Sequence, residues 1–224
     1  MDVQEYSLRE KKHARTKIAI MNAFIKRLEK TRFSDISIRQ ICKNVEVSEG
    51  TFFNYFPEKI DIIDYYMNLM FLKIVWKARK DVAAGSYIHL INSTFETTAE
   101  ELLINNNIMY QIIALMIVQQ EKPKTVDISD LERHIFLPGC DGIEHINIMT
   151  MDDFYRECLE KASKNNELPR GTNIDDLLIS LMSILGGTLL AAKFTAIKDR
   201  AYHFRRQLRV LWESLGIKKS LVEK

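Results

Sequence analysis

Two serines, Ser37 and Ser48, constrain this chain more than any other feature. Each stands just before an apolar-periodic stretch, where a serine side chain caps the free N–H groups of a new helix. Ser37 has Gln40 three residues on, an S-x-x-Q capping box, with Ile36 and Ile41 placed as a hydrophobic staple across it. Ile38, Ile41, Cys42 and Val45 then share one side, and the helix ends near Val45. Ser48 caps the next helix, with Val47 placed to staple onto Phe52. Two capped helices joined by so short a connection must turn sharply, which is helix-turn-helix geometry. Pro57 suits the first turn of a helix that follows.

The rest of the chain reads as helix too. With 46% hydrophobic residues, 8 Gly and 4 Pro in 224 positions, long stretches favour helix over turn-rich sheet, and a sizeable core is affordable. An amphipathic helix is predicted over Lys11–Lys30, with Ile18, Met21, Phe24, Ile25 and Leu28 on one face. Further helices are predicted over Ile60–Ala84, Tyr87–Leu103, Ile108–Gln119, Ser129–Phe136, Thr150–Lys164, Asn173–Ile197 and Arg200–Leu215, the last ending at Gly216. Leu137–Met149, with Pro138, Gly139 and Gly142, reads as a loop. The expected fold is all-α: a three-helix helix-turn-helix domain over residues 1–58, then a larger helical domain over 59–224, about nine helices in total.

The formal net charge of +2 is unevenly spread. Residues 1–60 hold 12 Lys/Arg against 8 Asp/Glu, whereas the remainder holds 20 against 22. A mild positive excess at the N-terminal end suits contact with a polyanion, and equally a solvated basic face. Arg9, Lys11, Lys12 and Arg15 read either as a basic arm reaching for phosphates or as a frayed terminus. Cys42, Cys140 and Cys158 form no CxxC pair and suit a reducing cytoplasm. Met1–Arg9 lacks an apolar core, so no secretory signal is expected. Leu177–Leu190 is the most apolar stretch and reads as too short to span a bilayer. A cytoplasmic protein without membrane contact is expected. His134, Cys140 and His145 match no compact ligand spacing, so no metal is expected. No nucleophile elbow, phosphate loop or supported carboxylate pair is present, which argues against an enzyme or a cofactor.

The string Ser37-Ile38-Arg39-Gln40-Ile41-Cys42 followed by Val47-Ser48-Glu49-Gly50-Thr51-Phe52-Phe53-Asn54-Tyr55-Phe56-Pro57-Glu58-Lys59 resembles the TetR family of one-component transcriptional regulators. At sequence level the resemblance covers about a quarter of the chain. It implies that Tyr55 and Lys59 contact phosphate, that Ser37 does so from its helix start, and that Thr51 and Asn54 lie nearest base edges. The candidate DNA contacts are Ser37, Arg39, Ser48, Gly50, Thr51, Phe53, Asn54, Tyr55 and Lys59, with Phe52 and Phe56 facing inward as scaffold. The backbone around Gly50, at a helix start, also suits a phosphate. Two residues depart from the pattern. Glu49 stands where the family often has Lys or Arg. Glu46 sits in the turn where Gly is common, at a cost of roughly 1 kcal/mol if its backbone is left-handed.

The resemblance also implies a homodimer, a palindromic double-stranded operator, and a repressor released by a small, largely apolar effector. Dimer-interface candidates are Leu178, Leu181, Met182, Leu185, Leu189, Phe204, Leu208, Leu211 and Trp212, some of which equally suit the chain's own core. Gly186–Gly187 is costly inside a helix unless another element approaches closely. Effector-pocket candidates, mixing apolar and polar groups, are Phe95, Tyr110, Gln111, Met116, Phe154 and Tyr155.

Overall fold

The computed structural model describes residues 6–80, 82–83, 85–104, 106–195 and 199–217. Among them stand ten α-helices and no strand. The chain divides into two compact units that do not follow chain order: Met1–Lys73 with Asn105–Ile148, and Ile74–Ile104 with Met149–Lys224.

The first unit is built on α1 (Leu8–Leu28), α2 (Ile38–Asn44), α3 (Glu49–Tyr55), α4 (Asp61–Lys80) as far as Lys73, α6 (Asn106–Gln119) and α7 (Asp130–Phe136). Helix α1 starts earlier than its apolar stripe announces. Ser7 accepts from the Glu10 N–H at 3.2 Å and Glu10 accepts from the Ser7 N–H at 2.8 Å, a complete capping box. Arg9, Lys11, Lys12 and Arg15, expected in an arm or a frayed end, therefore lie within α1. Ile18, Met21, Phe24, Ile25 and Leu28 are buried along its inner face. Pro57 does not open α4, which begins at Asp61; Glu58 N–H bonds the Asp61 carboxylate at 2.7 Å across the intervening turn.

A buried ion pair ties these helices together. Glu132 of α7 is only 5% exposed, and its carboxylate meets Lys17 of α1 at 2.9 Å and accepts from the Tyr65 hydroxyl of α4 at 3.1 Å. Burial pushes the Glu132 carboxyl up, but Lys17 and the Ser129 cap more than offset this and hold it below the usual carboxylate range. A charge in this position needs both partners, since an unpaired buried carboxylate is costly.

The second unit holds α4 from Ile74, α5 (Tyr87–Ile104), α8 (Met151–Lys164), α9 (Ile174–Phe194) and α10 (Arg200–Ser214). Helix α5 packs against α8 and α10, and α9 packs against the same two. Glu167 caps α5 from outside, its carboxylate accepting from the Tyr87 and Ile88 N–H groups at 3.1 and 2.9 Å. Gly216, at φ 71°, ends α10 in a Schellman turn, with Ile217 N–H bonding the Trp212 carbonyl at 3.1 Å. Ile197, the expected end of α9, lies outside the described residues.

Candidate nucleic-acid interface

The local chemistry of α2 and α3 follows the two serines. Ser37 accepts from the Gln40 N–H at 3.4 Å, although Gln40 does not return the bond, so the expected box is half formed. Ser48 accepts from the Thr51 N–H at 3.0 Å. Between the helices, Glu46 stands at φ 55° and the Val47 N–H reaches back to the Cys42 carbonyl at 3.0 Å. This is a Schellman-type ending whose left-handed residue ordinarily favours glycine. The turn is therefore as tight as the spacing predicts, and the penalty at Glu46 is present. Ile36, Ile41, Cys42, Phe52 and Phe56 are buried beneath it. Burial pushes the Cys42 thiol up, with Glu49 adding to the effect.

What α3 leaves outside is a narrow strip: Glu49, Gly50, Phe53 and Asn54 are exposed, Phe53 at 46%. Those positions recur at i, i+1, i+4 and i+5, one face of a helix, with the buried Phe52 and Phe56 on a neighbouring face. A Cβ added at Gly50 would meet only Ser48 Oγ, at 3.8 Å. The chain's own packing thus has no use for glycine here, although glycine inside a helix costs roughly 1 kcal/mol relative to alanine. Ser37, Arg39 and Ser48 are also exposed. Thr51 is half-buried, its hydroxyl 2.8 Å from that of Ser48.

Two candidates have partners within the protein. Lys59 donates to the Phe33 carbonyl and, at 3.3 Å, to that of Ser34, with its ammonium 4.7 Å from the Phe33 ring centroid. Burial lowers its ammonium from the usual lysine value, Asp35 opposing. The half-buried Tyr55 ring lies 4.6 Å from that of His13 on α1. Nothing in the local pattern around Lys59 announces Phe33, because the contact spans more than two helices of chain.

The pocket candidates fall into both units. Phe95 is fully buried in the second unit, stacked on Tyr155 with centroids 5.3 Å apart and edge-on to Phe204 at 5.2 Å. The Tyr155 hydroxyl lies 3.3 Å from that of Thr94, and Phe154 is buried beside it. In the first unit, the Gln111 amide donates to the Leu28 carbonyl at the end of α1, Tyr110 is half-buried, and Met116 lines a small hollow of about 20 Å³ with Ile60, Ile63 and Asp64. Such a volume holds about one water molecule.

The interface candidates also separate. Leu181, Leu189, Phe204, Leu208 and Trp212 are buried within the chain itself, Trp212 donating to the Asn92 side chain at 2.9 Å. Leu178, Met182, Leu185 and Leu211 are half-buried. The apolar groups left outside are Ile179, Leu190 and Phe194 on α9, the last 83% exposed, with Tyr202 and Val210 on α10. A Cβ at Gly186 or Gly187 would meet nothing within 4 Å. The stretch expected to be too short for a bilayer belongs to a helix of 21 residues, long and apolar enough by length and composition to cross one, with 33% of its apolar window buried. Leu177–Leu190 is only the most apolar part of this helix, which runs from Ile174 to Phe194. Among the described residues no His, Cys, Asp and Glu group is placed to hold a metal; Glu144 instead lies 3.5 Å from His134 and 3.6 Å from His145.

No family model and no curated protein matches the chain. Solved structures do. FadR of Thermus thermophilus, a TetR-family transcriptional repressor crystallised with lauroyl-CoA, superposes with a TM-score of 0.61 at 19% identity, over 89% of this chain and 94% of that one. A TetR-family regulator from Rhodococcus sp. gives 0.61 at 10% identity, over 89% and 98%. The fatty acid degradation regulator FadR of Bacillus halodurans gives 0.58 at 13%, over 91% and 97%. This chain has the fold of the TetR-family transcriptional regulators.

Proposed function

We propose that the chain is a TetR-family transcriptional regulator, a cytoplasmic homodimer that uses α2 and α3 to read a palindromic operator in double-stranded DNA. The observation that carries this is Gly50: a helical glycine on the exposed strip of α3, with open space where its Cβ would be. Its cost within the chain is explained if another backbone, that of DNA, comes close there. Ser37, Arg39, Ser48, Thr51, Phe53, Asn54 and Tyr55 complete the contact surface. Lys59 joins it by holding the turn at Phe33 and Ser34, a more indirect part than phosphate contact. Residues 1–58 then act as the reading part and 59–224 as the sensing and pairing part.

The second copy occupies the outer face of α9 and α10. Ile179, Leu190, Phe194, Tyr202 and Val210 would be covered by their counterparts, with Leu178, Met182, Leu185 and Leu211 at the margin and Gly186–Gly187 allowing close helix approach. This accounts for the exposed apolar length of α9 without a membrane. A two-fold dimer then matches an operator of two half-sites.

The chain acts as a repressor released by a small, largely apolar effector, with Phe95, Phe154 and Tyr155 as the first residues to vary and Tyr110, Gln111 and Met116 after them. Release requires that effector bind the form that leaves DNA more tightly than the form that holds it. Lauroyl-CoA is the first probe, because it is bound in a protein of the same fold. A gel shift with the DNA flanking the chain's own gene tests the core of the proposal. Salt-sensitive, sequence-preferring retardation is expected. Its absence, in dimeric and folded protein, would overturn the DNA-binding reading.

A further inference from the structure

The exposed strip of α3 carries one charge, and its sign is wrong for a polyanion. Glu49, Gly50, Phe53 and Asn54 present a carboxylate, a bare backbone, an aromatic ring and an amide. Among the described residues Glu49 has no ion-pair partner to absorb its charge, and its first-turn position is already served by the Ser48 cap. The cations of this region lie on other elements: Arg39 and Lys43 on α2, both exposed, and Arg9, Lys11, Lys12 and Arg15 on α1. Positioning on phosphate and reading of bases are thus divided between elements, and α3 has the second task.

Duplex DNA carries about one negative charge per 1.7 Å of axis, so a carboxylate brought against it is repelled unless a donor meets it. In the major groove those donors are the exocyclic amino groups, N4 of cytosine and N6 of adenine. Adenine sets its N6 beside the N7 acceptor, which a carboxylate cannot satisfy. Cytosine offers its amino group without an acceptor on the same exposed edge. A carboxylate is acceptor-only when ionised and therefore matches cytosine. Phe53 lies one turn further along the same face, where its exposed ring suits the methyl group of a thymine.

Resting on the DNA-binding reading above, we propose that Glu49 is a specificity-determining residue. It accepts a hydrogen bond from the N4 amino group of a cytosine in each half-site. The absence of a side chain at Gly50 lets α3 approach closely enough for the short reach this requires.

The experiment is selection of binding sites from a random double-stranded DNA library, using the full chain, Glu49→Ala and Glu49→Gln at two salt concentrations. The wild-type protein is expected to enrich half-sites with a fixed cytosine. Glu49→Ala should lower the preference for that cytosine roughly tenfold while leaving other positions unchanged. Glu49→Gln should move the preference at that same position toward adenine, which an amide can meet on both N6 and N7. Circular dichroism and thermal melting of both variants should match wild type, since the side chain is exposed. If Glu49→Ala binds every sequence more tightly by the same factor and every positional preference survives, Glu49 only repels and the proposal is overturned. If the wild-type protein itself enriches no sequence, the DNA-binding reading fails, a result that the variants cannot imitate.

Discussion

Helices α3 and α9 carry the same anomaly and resolve it in opposite ways. Each has glycine inside a helix, and in each the missing side chain would stand in open space: Gly50 on α3, Gly186 and Gly187 on α9. Helical glycine without an internal reason points outward, to something that approaches from beyond the chain. The surroundings differ. Around Gly50 the exposed residues are Glu49, Phe53 and Asn54, a polar strip with hydrogen-bonding edges. Around Gly186–Gly187 they are chiefly Ile179, Leu190 and Phe194, a mainly apolar strip on which Ser183 is the nearest exposed polar side chain. A polar strip beside a glycine suits base edges, and an apolar one suits another protein surface. Inverse substitutions on the two strips should therefore separate folding from partnership.

The largest effect is expected from the buried members of the α9–α10 pair. Trp212→Ala removes a fully buried side chain and its bond to Asn92, and should lower stability by about 3–5 kcal/mol in chemical denaturation. Phe194→Glu, on the exposed face, should leave the stability of the folded chain nearly unchanged and weaken self-association by tenfold or more in sedimentation. Equal association by that variant and wild type would break the comparison at α9.

Next is the ion pair that binds α1, α4 and α7. Glu132→Gln leaves the mostly buried Lys17 side chain without its counter-charge and should cost about 3 kcal/mol. The pH dependence has a definite sign. The folded carboxyl is held below its ordinary value, so its stabilisation is fully present above the usual carboxylate range. It fades as pH falls through that range and through the lowered folded value beneath it. Melting curves of Glu132→Gln should lose part of this acid dependence; an unchanged profile would mean that the pair does not stabilise the native state.

A smaller effect, and the sharpest for the comparison, is expected from Gly50→Ala. Helix propensity and open space should raise stability by up to about 1 kcal/mol. Operator binding should nevertheless fall. A variant that is both more stable and equally active would show that α3 needs no close approach. Glu46→Gly should add about 1 kcal/mol by relieving the left-handed backbone at φ 55°, with no change in sequence preference.

Much of the first unit was legible because its signals are local. A serine cap and the residue three positions later lie within one helical turn, and the short distance between the two caps requires a tight turn, in which Glu46 stands at φ 55°. Gly216 marks the end of α10 for the same reason. Other features of the first unit are not announced by the local pattern. Lys59 stands where the family pattern implies a phosphate contact, but Phe33 and Ser34 offer it carbonyls inside the fold. The basic residues near the N-terminus belong to α1 and not to an arm or a frayed end, because the Ser7–Glu10 box starts that helix ahead of its apolar stripe. Of the candidate pocket residues, Phe95 and Tyr155 stack within the second unit, and Gln111 binds the end of α1 within the first.

By itself the sequence determined the all-helical class, the capped α2 and α3, and the inward facing of Phe52 and Phe56 on α3. Those are consequences of periodicity and of hydrogen bonds between near neighbours, and need no distant partner. Only the tertiary structure decided which apolar face of α9 and α10 is spent on the chain's own core. Leu181, Phe204 and Trp212 are no less apolar than Ile179, Phe194 and Val210, so composition cannot separate them. The choice is made by packing across α5, α8, α9 and α10, which brings together residues far apart along the chain.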